Sequence, residues 1–304
     1  MKTQRWTSNE IPNQKGKVII ITGANSGLGL EAAKVLCKKE ATVILAVRNV
    51  EKGDEAIAEI KKEIPNAHVE VIPLDLSDLD SIRKFSEEFH AKYSQLNVLI
   101  NNAGVMFPAK REATKQGFEL QFGTNHLGHF LLTGLLLDII KKTPGARIAT
   151  QSSIYHKMKA DIHFDDLNWE KSYNKELGYA QSKLANLLFT YELDRLLKSH
   201  QINAVSVAAH PGYTSTNLQR NMGFLGTIAN ALIAQSVEIG TLPILRAATE
   251  ENLSGGEYFG PTKLNEMRGY PEKVASSVQS HDQVLAKKLW EVSEKLTGFH
   301  YNFD

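Results

Sequence analysis

Short apolar runs alternate with longer amphipathic segments from Lys17 onward. The first run, KVIIIT at 17–22, is almost continuously apolar and leads into glycines, after which LGLEAAKVLCKKE has the periodicity of a helix. Further apolar runs follow, separated by helix-forming segments: TVILAV (42–47), HVEVIPLDL (68–76), NVLINNAG (97–104), RIATQSS (147–153) and INAVSVAAH (202–210). Strands that are apolar on both faces and joined by helices predict a doubly wound α/β (Rossmann) fold, a parallel sheet with helices on both faces.

Two longer segments are predicted as single helices. One runs over 117–142 and the other over 177–199. The chain has 304 residues, of which 42% are hydrophobic, which is enough to bury one large core. We therefore expect an N-terminal arm at 1–16 and a single domain at 17–304.

Composition excludes several classes of protein. The formal net charge is +1, so no basic stripe for a nucleic acid partner is expected. A single cysteine, Cys37, excludes an internal disulfide and favours a reducing compartment. The chain starts without the apolar segment of a signal peptide, and its longest apolar run, 130–140, is too short to span a bilayer and contains Asp138. We expect a cytoplasmic protein with no integral membrane anchor and, lacking a Cys/His cluster, no metal site.

A lysine stands out within the second long helix. The segment 177–193, LGYAQSKLANLLFTYEL, is apolar nearly all the way round, which predicts a buried helix. No carboxylate lies three or four residues from Lys183, so nothing on its own helix neutralises it. A buried, unpaired ammonium is costly. Either its stem reaches a nearby surface or its charge serves chemistry, and the residues alone leave both interpretations open.

Glycines follow the first predicted strand. In TGANSGLG, Gly23, Gly27 and Gly29 lead from strand to helix, where glycines permit a tight turn and a close approach of the backbone to a pyrophosphate. The alternative is a glycine-rich turn that binds nothing.

Arg48 follows the second predicted strand, 19 residues past Gly29. In dinucleotide-binding folds an acid near this place holds the ribose 2′-hydroxyl of NAD, whereas an arginine accommodates the 2′-phosphate of NADP. The sequence thus favours NADP(H) over NAD(H). An exposed arginine near a helix start, without a ligand, is the alternative.

Six motifs in order resemble the short-chain dehydrogenase/reductases. They are TGANSGLG, NNAG (101–104), Asn125 in FGTNHLGHF, QSS (151–153), the Y-x-x-x-K pair Tyr179 and Lys183, and HPGYTST (210–216). The stretches GFELQFGTNHLGHFLLT and YAQSKLANLLFTYEL look like the branch that contains retinol dehydrogenases and protochlorophyllide reductases.

The resemblance implies four catalytic residues: Asn125, Ser153, Tyr179 and Lys183. Tyr179 would be the general acid/base, Ser153 would bind the substrate oxygen, and Asn125 would hold a water-linked proton path to Lys183. Tyr179 and Lys183, four residues apart, share a helix face, and an ammonium beside a phenol favours the phenolate. We therefore expect Lys183, together with an oxidised nicotinamide, to lower the pKa of Tyr179.

The resemblance also implies a cofactor-binding set. Asp75 has an alternative role, because an aspartate after a strand also starts helices. Besides Tyr179 and Lys183, the set comprises Gly23, Asn25, Ser26, Gly27, Leu28, Gly29, Arg48, Asp75, Leu76, Asn102, Ala103, Gly104, Pro211, Gly212, Thr214 and Thr216.

A substrate lid is expected near 213–240. Its apolar residues favour a bulky hydrophobic carbonyl or alcohol as the small-molecule substrate, and the alternative is ordinary packing against the domain or a second subunit, so a homo-oligomer stays open. These residues are Phe224, Leu225, Ile228, Leu232 and Ile233. The predicted function is an NADP(H)-dependent carbonyl/alcohol oxidoreductase. Reduction of a C=C bond and a non-catalytic NADP-binding regulator are the alternatives.

Overall fold

Eight strands form one sheet in the computed structural model, which describes residues 5–214 and 235–304. The order across the sheet is β3-β2-β1-β4-β5-β6-β7-β8. The strands are β1 (Val18–Thr22), β2 (Thr42–Val47), β3 (His68–Pro73), β4 (Val98–Asn101), β5 (Ala146–Gln151), β6 (Ala204–Ala209), β7 (Tyr258–Lys263) and β8 (Arg268–Lys273).

Helices connect most of these strands. They are α1 (Gly27–Lys38), α2 (Val50–Glu63), α3 (Leu79–Lys92), α4 (Leu120–Phe122), α5 (Gly128–Leu135), α6 (Leu137–Lys142), α7 (Lys175–Ser199), α8 (Val237–Thr249) and α9 (Gln283–Thr297).

The sheet runs outward in both directions from β1. Strands β1 to β7 pair in parallel, and β1 lies between β2 and β4. The strand order therefore reverses between β1 and β4, which is where doubly wound sheets bind ligands, at the carboxyl ends of the strands. The predicted doubly wound fold is confirmed.

Strand β1 shows how the two helix layers are attached. Ile19 and Ile21 face the layer that contains α1, α2 and α8, whereas Ile20 faces the layer that contains α3, α5 and α7. All three are fully buried. Successive side chains of a strand point to opposite faces, so a run of isoleucines suits a strand covered on both sides.

Two strands were not predicted. β8 is antiparallel to β7, an exception to the parallel sheet, because the short turn between them leaves no room for a crossover helix. Both strands carry glycine and proline, residues that are depleted in strands, and this weakens their sequence pattern: Gly260 and Pro261 in β7, and Gly269 and Pro271 in β8.

The prediction of one continuous helix over 117–142 is wrong. A π-helical turn at Gly123–Leu127 separates α4 from α5, and a non-helical residue, Leu136 (φ −98°, ψ 1°), separates α5 from α6. The backbone packs closely against the β3–α3 connection here, since a Cβ on Gly128 would lie 2.5 Å from the carbonyl oxygen of Leu76. Single π turns of this kind often occur at functional sites.

The predicted buried helix is confirmed as α7. Asn174 caps its first turn by accepting hydrogen bonds from the backbone N–H groups of Glu176 and Leu177, both at 3.0 Å. Most of the helix is buried. Because α7 extends under the end of β5, it brings Tyr179 and Lys183 to the carboxyl edge of the sheet.

Residues 5–16, expected as an N-terminal arm, pack against the helix layer that contains α1. Thr7 and Glu10 form a capping box around a short 3-10 helix, and Ile11 is buried in the core beside α1. Residues 215–234, which include most of the expected lid and all five of its named apolar residues, lie outside the described residues. In the described ranges, no helix combines the length and apolarity that a membrane span needs.

Candidate active site

The glycine turn after β1 is required by its surroundings. Gly23 has φ +67°, and a Cβ there would lie 2.9 Å from the Cβ of Ala103. A Cβ on Gly29 would lie 2.5 Å from the carbonyl oxygen of Gly23 and 2.7 Å from Nδ2 of Asn102. The two predicted motifs TGANSGLG and NNAG therefore touch, and only glycines fit between them.

Helix α1 starts at this turn with its first amides uncapped by a side chain. Ser26 is the N-cap residue, but its hydroxyl makes no capping hydrogen bond, and no acidic residue lies in the first turn. Asn25 is half-buried, Ser26 is exposed and Leu28 is buried. Free N–H groups at a helix N-terminus favour an anion, so this end of α1, beside the glycine cradle, fits a dinucleotide pyrophosphate.

The next two strand ends differ in character. Arg48 is exposed directly after β2, and within 5–214 and 235–304 no carboxylate pairs with it. Asp75 forms a local turn, because its Oδ1 accepts hydrogen bonds from the backbone N–H (2.9 Å) and the hydroxyl (2.6 Å) of Ser77. The residue that caps α3 is Asp78, not Asp75. Leu76, buried, packs beside the start of α5.

Lys183 is buried and does not reach the surface. It is 3% exposed, and its Nζ donates to the carbonyl oxygen of Gln151 at the end of β5, at 3.2 Å. Burial lowers the pKa of this amine to about 8, and no carboxylate contributes to the shift. The Nζ lies 5.5 Å from the centre of the Tyr179 ring. Of the two interpretations of this lysine, the surface-reaching one is excluded.

Tyr179 is less acidic than expected. Burial raises its pKa, and the hydrogen bond with the Ser153 side chain lowers it by less. Lys183 does not contribute, although the two side chains are neighbours. The expectation that the lysine lowers this pKa is therefore not met by the protein alone. The same burial that brings the ammonium close to the phenol also disfavours the phenolate.

Ser153 and Asn125 are held in different ways. Ser153 starts a short 3-10 helix, and its Oγ accepts from the backbone N–H of Tyr155 at 3.3 Å. The side chain of Asn125, in the π turn, is used structurally: Oδ1 accepts from the N–H of Val105 (2.8 Å), and Nδ2 donates to the carbonyl of Val105 and the hydroxyl of Ser182 (both 3.0 Å). This leaves little of that side chain for a proton path.

Gly104 lies beside both Asn125 and Lys183. A Cβ on this glycine would lie 3.2 Å from Oδ1 of Asn125 and 3.6 Å from Nζ of Lys183. Asn102, one residue before Ala103, donates from Nδ2 to the carbonyl of Thr22 at 2.9 Å. The end of β4 thus touches both the glycine turn and the predicted catalytic residues.

The segment after β6 borders the same edge of the sheet. Gly212 has φ +64°, and the carbonyl of Pro211 accepts from the Thr214 hydroxyl at 2.8 Å. A Cβ on Gly212 would lie 2.5 Å from the carbonyl of Met267 in the β7–β8 turn. Thr216 lies outside the described residues.

Four residues at the site were not singled out from the sequence. Phe107 (φ +55°) and Tyr155 pack edge-on against Tyr179, with ring centres 5.2 and 5.5 Å away. Thr22 and His129 form a buried hydrogen-bonded pair behind the site. Phe107 lies three residues after NNAG and Tyr155 lies two residues after Ser153. This nearness to the motifs is the only feature of the sequence that could have indicated them as site residues.

Known proteins resemble this chain over nearly all of its length. The short chain dehydrogenase family model matches residues 17–223. Retinol dehydrogenase 13 of Homo sapiens is 39% identical over 294 residues, which cover 93% of this chain and 85% of the human protein. Retinol dehydrogenase 11 of Mus musculus is 42% identical over 288 residues, covering 93% and 87%.

Solved structures show the same fold. An uncharacterised protein from Mycobacterium paratuberculosis superposes with a TM-score of 0.83 at 39% identity, covering 98% of this chain and all of that one. The RhlG/NADP complex from Pseudomonas aeruginosa gives 0.64 at 19% identity, covering 80% and 94%. The second likeness concerns the fold alone.

Proposed function

Because the chain belongs to the short-chain dehydrogenase family of NAD(P)-binding oxidoreductases, we propose that it interconverts a carbonyl and an alcohol with NADP(H). The proposed substrate is bulky and hydrophobic. One observation carries the proposal: Ser153, Tyr179 and Lys183 lie together at the carboxyl edge of the sheet, and among the described residues no carboxylate pairs with the buried ammonium.

When bound at the glycine turn, NADPH would supply a hydride for the carbonyl carbon. Tyr179 gives its phenolic proton to the carbonyl oxygen, and Ser153 donates a hydrogen bond to the same oxygen as negative charge develops there. With the cofactor bound, the positive charge of Lys183 would stabilise the phenolate that remains, an effect that the protein alone does not show at Tyr179. Oxidation of an alcohol follows the reverse path.

Tyr179 carries its proton at neutral pH, which is the form that carbonyl reduction needs, although a raised pKa also makes the phenol a weaker acid. A phenol that holds its proton at neutral pH is ready to act as a general acid. In the oxidative direction the phenolate must form first, which requires the charge of Lys183 and of an oxidised nicotinamide. We therefore propose that carbonyl reduction is the easier direction near pH 7.

The hydrophobic character of the substrate has support at the site itself. The rings of Phe107 and Tyr155 flank the ring of Tyr179, so two aromatic rings border the phenol beside the Ser153 and Lys183 side chains. The relatives with about 40% identity are retinol dehydrogenases by name, that is, enzymes of a large apolar alcohol. We propose a substrate of this general kind, a large apolar carbonyl or alcohol.

A panel of aldehydes, ketones and enones at saturating NADPH tests the function. We expect oxidation of NADPH with at least one bulky apolar carbonyl, and an alcohol as product. Saturation of the C=C bond of an enone, with the carbonyl retained, would instead identify an enone reductase. Binding of NADPH without turnover of any member of the panel would favour a regulator.

The preference for NADP(H) rests on Arg48. We expect Arg48→Ala to raise the Kd of NADPH by about tenfold, which is about 1.4 kcal/mol, and to leave that of NADH within about twofold. The arginine would pair with the 2′-phosphate, which only NADPH carries. Fluorescence titration measures both constants, and Lys62→Ala, an exposed cation at the other end of α2, is the control. An equal loss for both cofactors would contradict the assignment.

A further inference from the structure

A buried histidine connects two parts of the site that are distant in sequence. His129 lies in α5, one turn after Asn125, and is 1% exposed. Its Nδ1 is 3.0 Å from the main-chain carbonyl oxygen of Asn125, and its Nε2 is 2.9 Å from the hydroxyl of Thr22. Both ring nitrogens are therefore used.

These bonds determine the protonation of the ring. A carbonyl oxygen only accepts, so Nδ1 carries a proton and donates it to Asn125. Burial, with a smaller contribution from the charge of Lys183, lowers the pKa of His129 to about 4, so the ring is neutral at pH 7. Nε2 then accepts, and the Thr22 hydroxyl is its donor.

Thr22 extends the connection to the end of β4. Its oxygen accepts the backbone N–H groups of Asn102 and Ala103, both at 2.9 Å. The hydroxyl thus donates one hydrogen bond and accepts two, so its hydrogen-bonding capacity is satisfied. The alternative acceptor for its proton, the carbonyl of Ile100, is farther away at 3.4 Å. A continuous chain of bonds thus runs from Asn102 and Ala103 to the backbone of Asn125.

The side chain of Asn125 and the amine of Lys183 both border Gly104. A Cβ on Gly104 would lie 3.2 Å from the side-chain Oδ1 of Asn125 and 3.6 Å from Nζ of Lys183. The charge of Lys183 also contributes to the lowered pKa of His129. The Asn125 side chain bonds to Val105 and Ser182, whereas His129 bonds to the Asn125 main-chain carbonyl. The histidine therefore fixes the position of that carbonyl independently of the side-chain bonds. Asn125 lies in the π turn, and single π turns of this kind often occur at functional sites.

We infer that His129 is a positioning residue for proton transfer, which fixes the main chain of Asn125, whose side chain borders Gly104 together with Lys183, and connects it, through Thr22, to the cofactor-facing end of β4. The inference rests on the proposed function. Misplacement of a proton-path group by about 1 Å can lower a rate by on the order of 10²-fold. The residue touches neither substrate nor cofactor in this scheme and acts only through Asn125.

Two polar substitutions separate the two bonds of the ring. In His129→Asn, the side-chain amide nitrogen takes the place of Nδ1 and keeps the bond to Asn125. In His129→Gln, the amide reaches the place of Nε2 and keeps the bond to Thr22 instead. We expect H129Q to lower kcat by about 10²-fold, and H129N by less than about tenfold. KM and the NADPH Kd should stay within about threefold for both.

The pH profile of kcat is the second measurement. We expect its apparent pKa to shift by about one unit in H129Q and by less than half of that in H129N, because proton transfer depends on the carbonyl position. The matched controls are His126→Asn and His126→Gln. His126 is equally buried on the preceding turn, but its Nε2 bonds to the Ser293 hydroxyl at 2.9 Å, away from the site. Both controls should keep the wild-type kcat and pH profile.

Equal kcat values and equal pH profiles in H129N and H129Q would overturn the inference and assign the ring a packing role. A failure of the proposed function looks different. It would already show in the wild-type protein, as no turnover of any carbonyl, whereas a failure of the inference leaves the wild-type enzyme active.

Discussion

Replacing Tyr179 by phenylalanine should lower kcat for carbonyl reduction by about 10³-fold while the Kd of NADPH stays within about threefold. The substitution removes the proton donor, a loss that falls within the usual range for general acid catalysis. It leaves the ring in place against Phe107 and Tyr155, so the shape of the site is kept. Steady-state kinetics and a fluorescence titration of NADPH measure the two quantities.

Tyr191→Phe is the matched control. Tyr191 lies on the same helix, is also buried, and its hydroxyl bonds to the Ser276 hydroxyl at 2.8 Å, remote from the site. This variant loses a buried hydroxyl of the same kind and should keep its kcat. If Tyr179→Phe were as active as Tyr191→Phe, Tyr179 would not be the acid.

The second large effect is expected at the glycine turn. Gly29→Ala should weaken NADPH binding by at least about 100-fold, or about 2.7 kcal/mol. The new Cβ would lie within 2.7 Å of the carbonyl oxygen of Gly23 and Nδ2 of Asn102, so the turn and the start of α1 must move. The amides at this helix end would then no longer converge on the pyrophosphate. Isothermal titration calorimetry with NADPH gives the affinity.

Gly145→Ala is the control for this variant. An alanine at position 145 would be strained, because the backbone there has φ +73°. Its Cβ would, however, meet no other atom of the described residues within 4 Å. It should bind NADPH normally. Thermal unfolding of both variants shows whether the fold is kept. Wild-type NADPH affinity in folded Gly29→Ala would show that the turn does not cradle the cofactor.

The fold could be predicted wherever the apolar pattern is local. Strands β1, β2, β4, β5 and β6 were visible as apolar runs, and α7 as an apolar helix, because burial on both sides leaves a continuous signal. The edge strand β3 was also visible, although it is only partly buried. β7 and β8 escaped prediction because their glycines and prolines obscure the pattern, and pairing at a sheet edge tolerates them. The breaks in the helix over 117–142 depend on tertiary contact at Gly128, which periodicity does not report.

The site was predictable only in part, because some of its contacts are local in sequence and others depend on the tertiary fold. Tyr179 and Lys183 are four residues apart, so their proximity follows from helix geometry. Thr22 and His129 are 107 residues apart, and nothing local in the sequence announces their bond. The raised pKa of Tyr179 also needs the structure, since it depends on how deeply the whole fold buries the phenol.

The fate of the hydride tests the central claim most directly. The measurement is reduction of an active α,β-unsaturated aldehyde or ketone with NADPH that carries deuterium in the transferred position at nicotinamide C4, followed by NMR and mass spectrometry of the product. We expect one deuterium on the former carbonyl carbon, an intact C=C bond, and no labelled product above background with Tyr179→Phe. Deuterium on the carbon β to a retained carbonyl, or labelled alcohol formed equally well by Tyr179→Phe, would contradict the account.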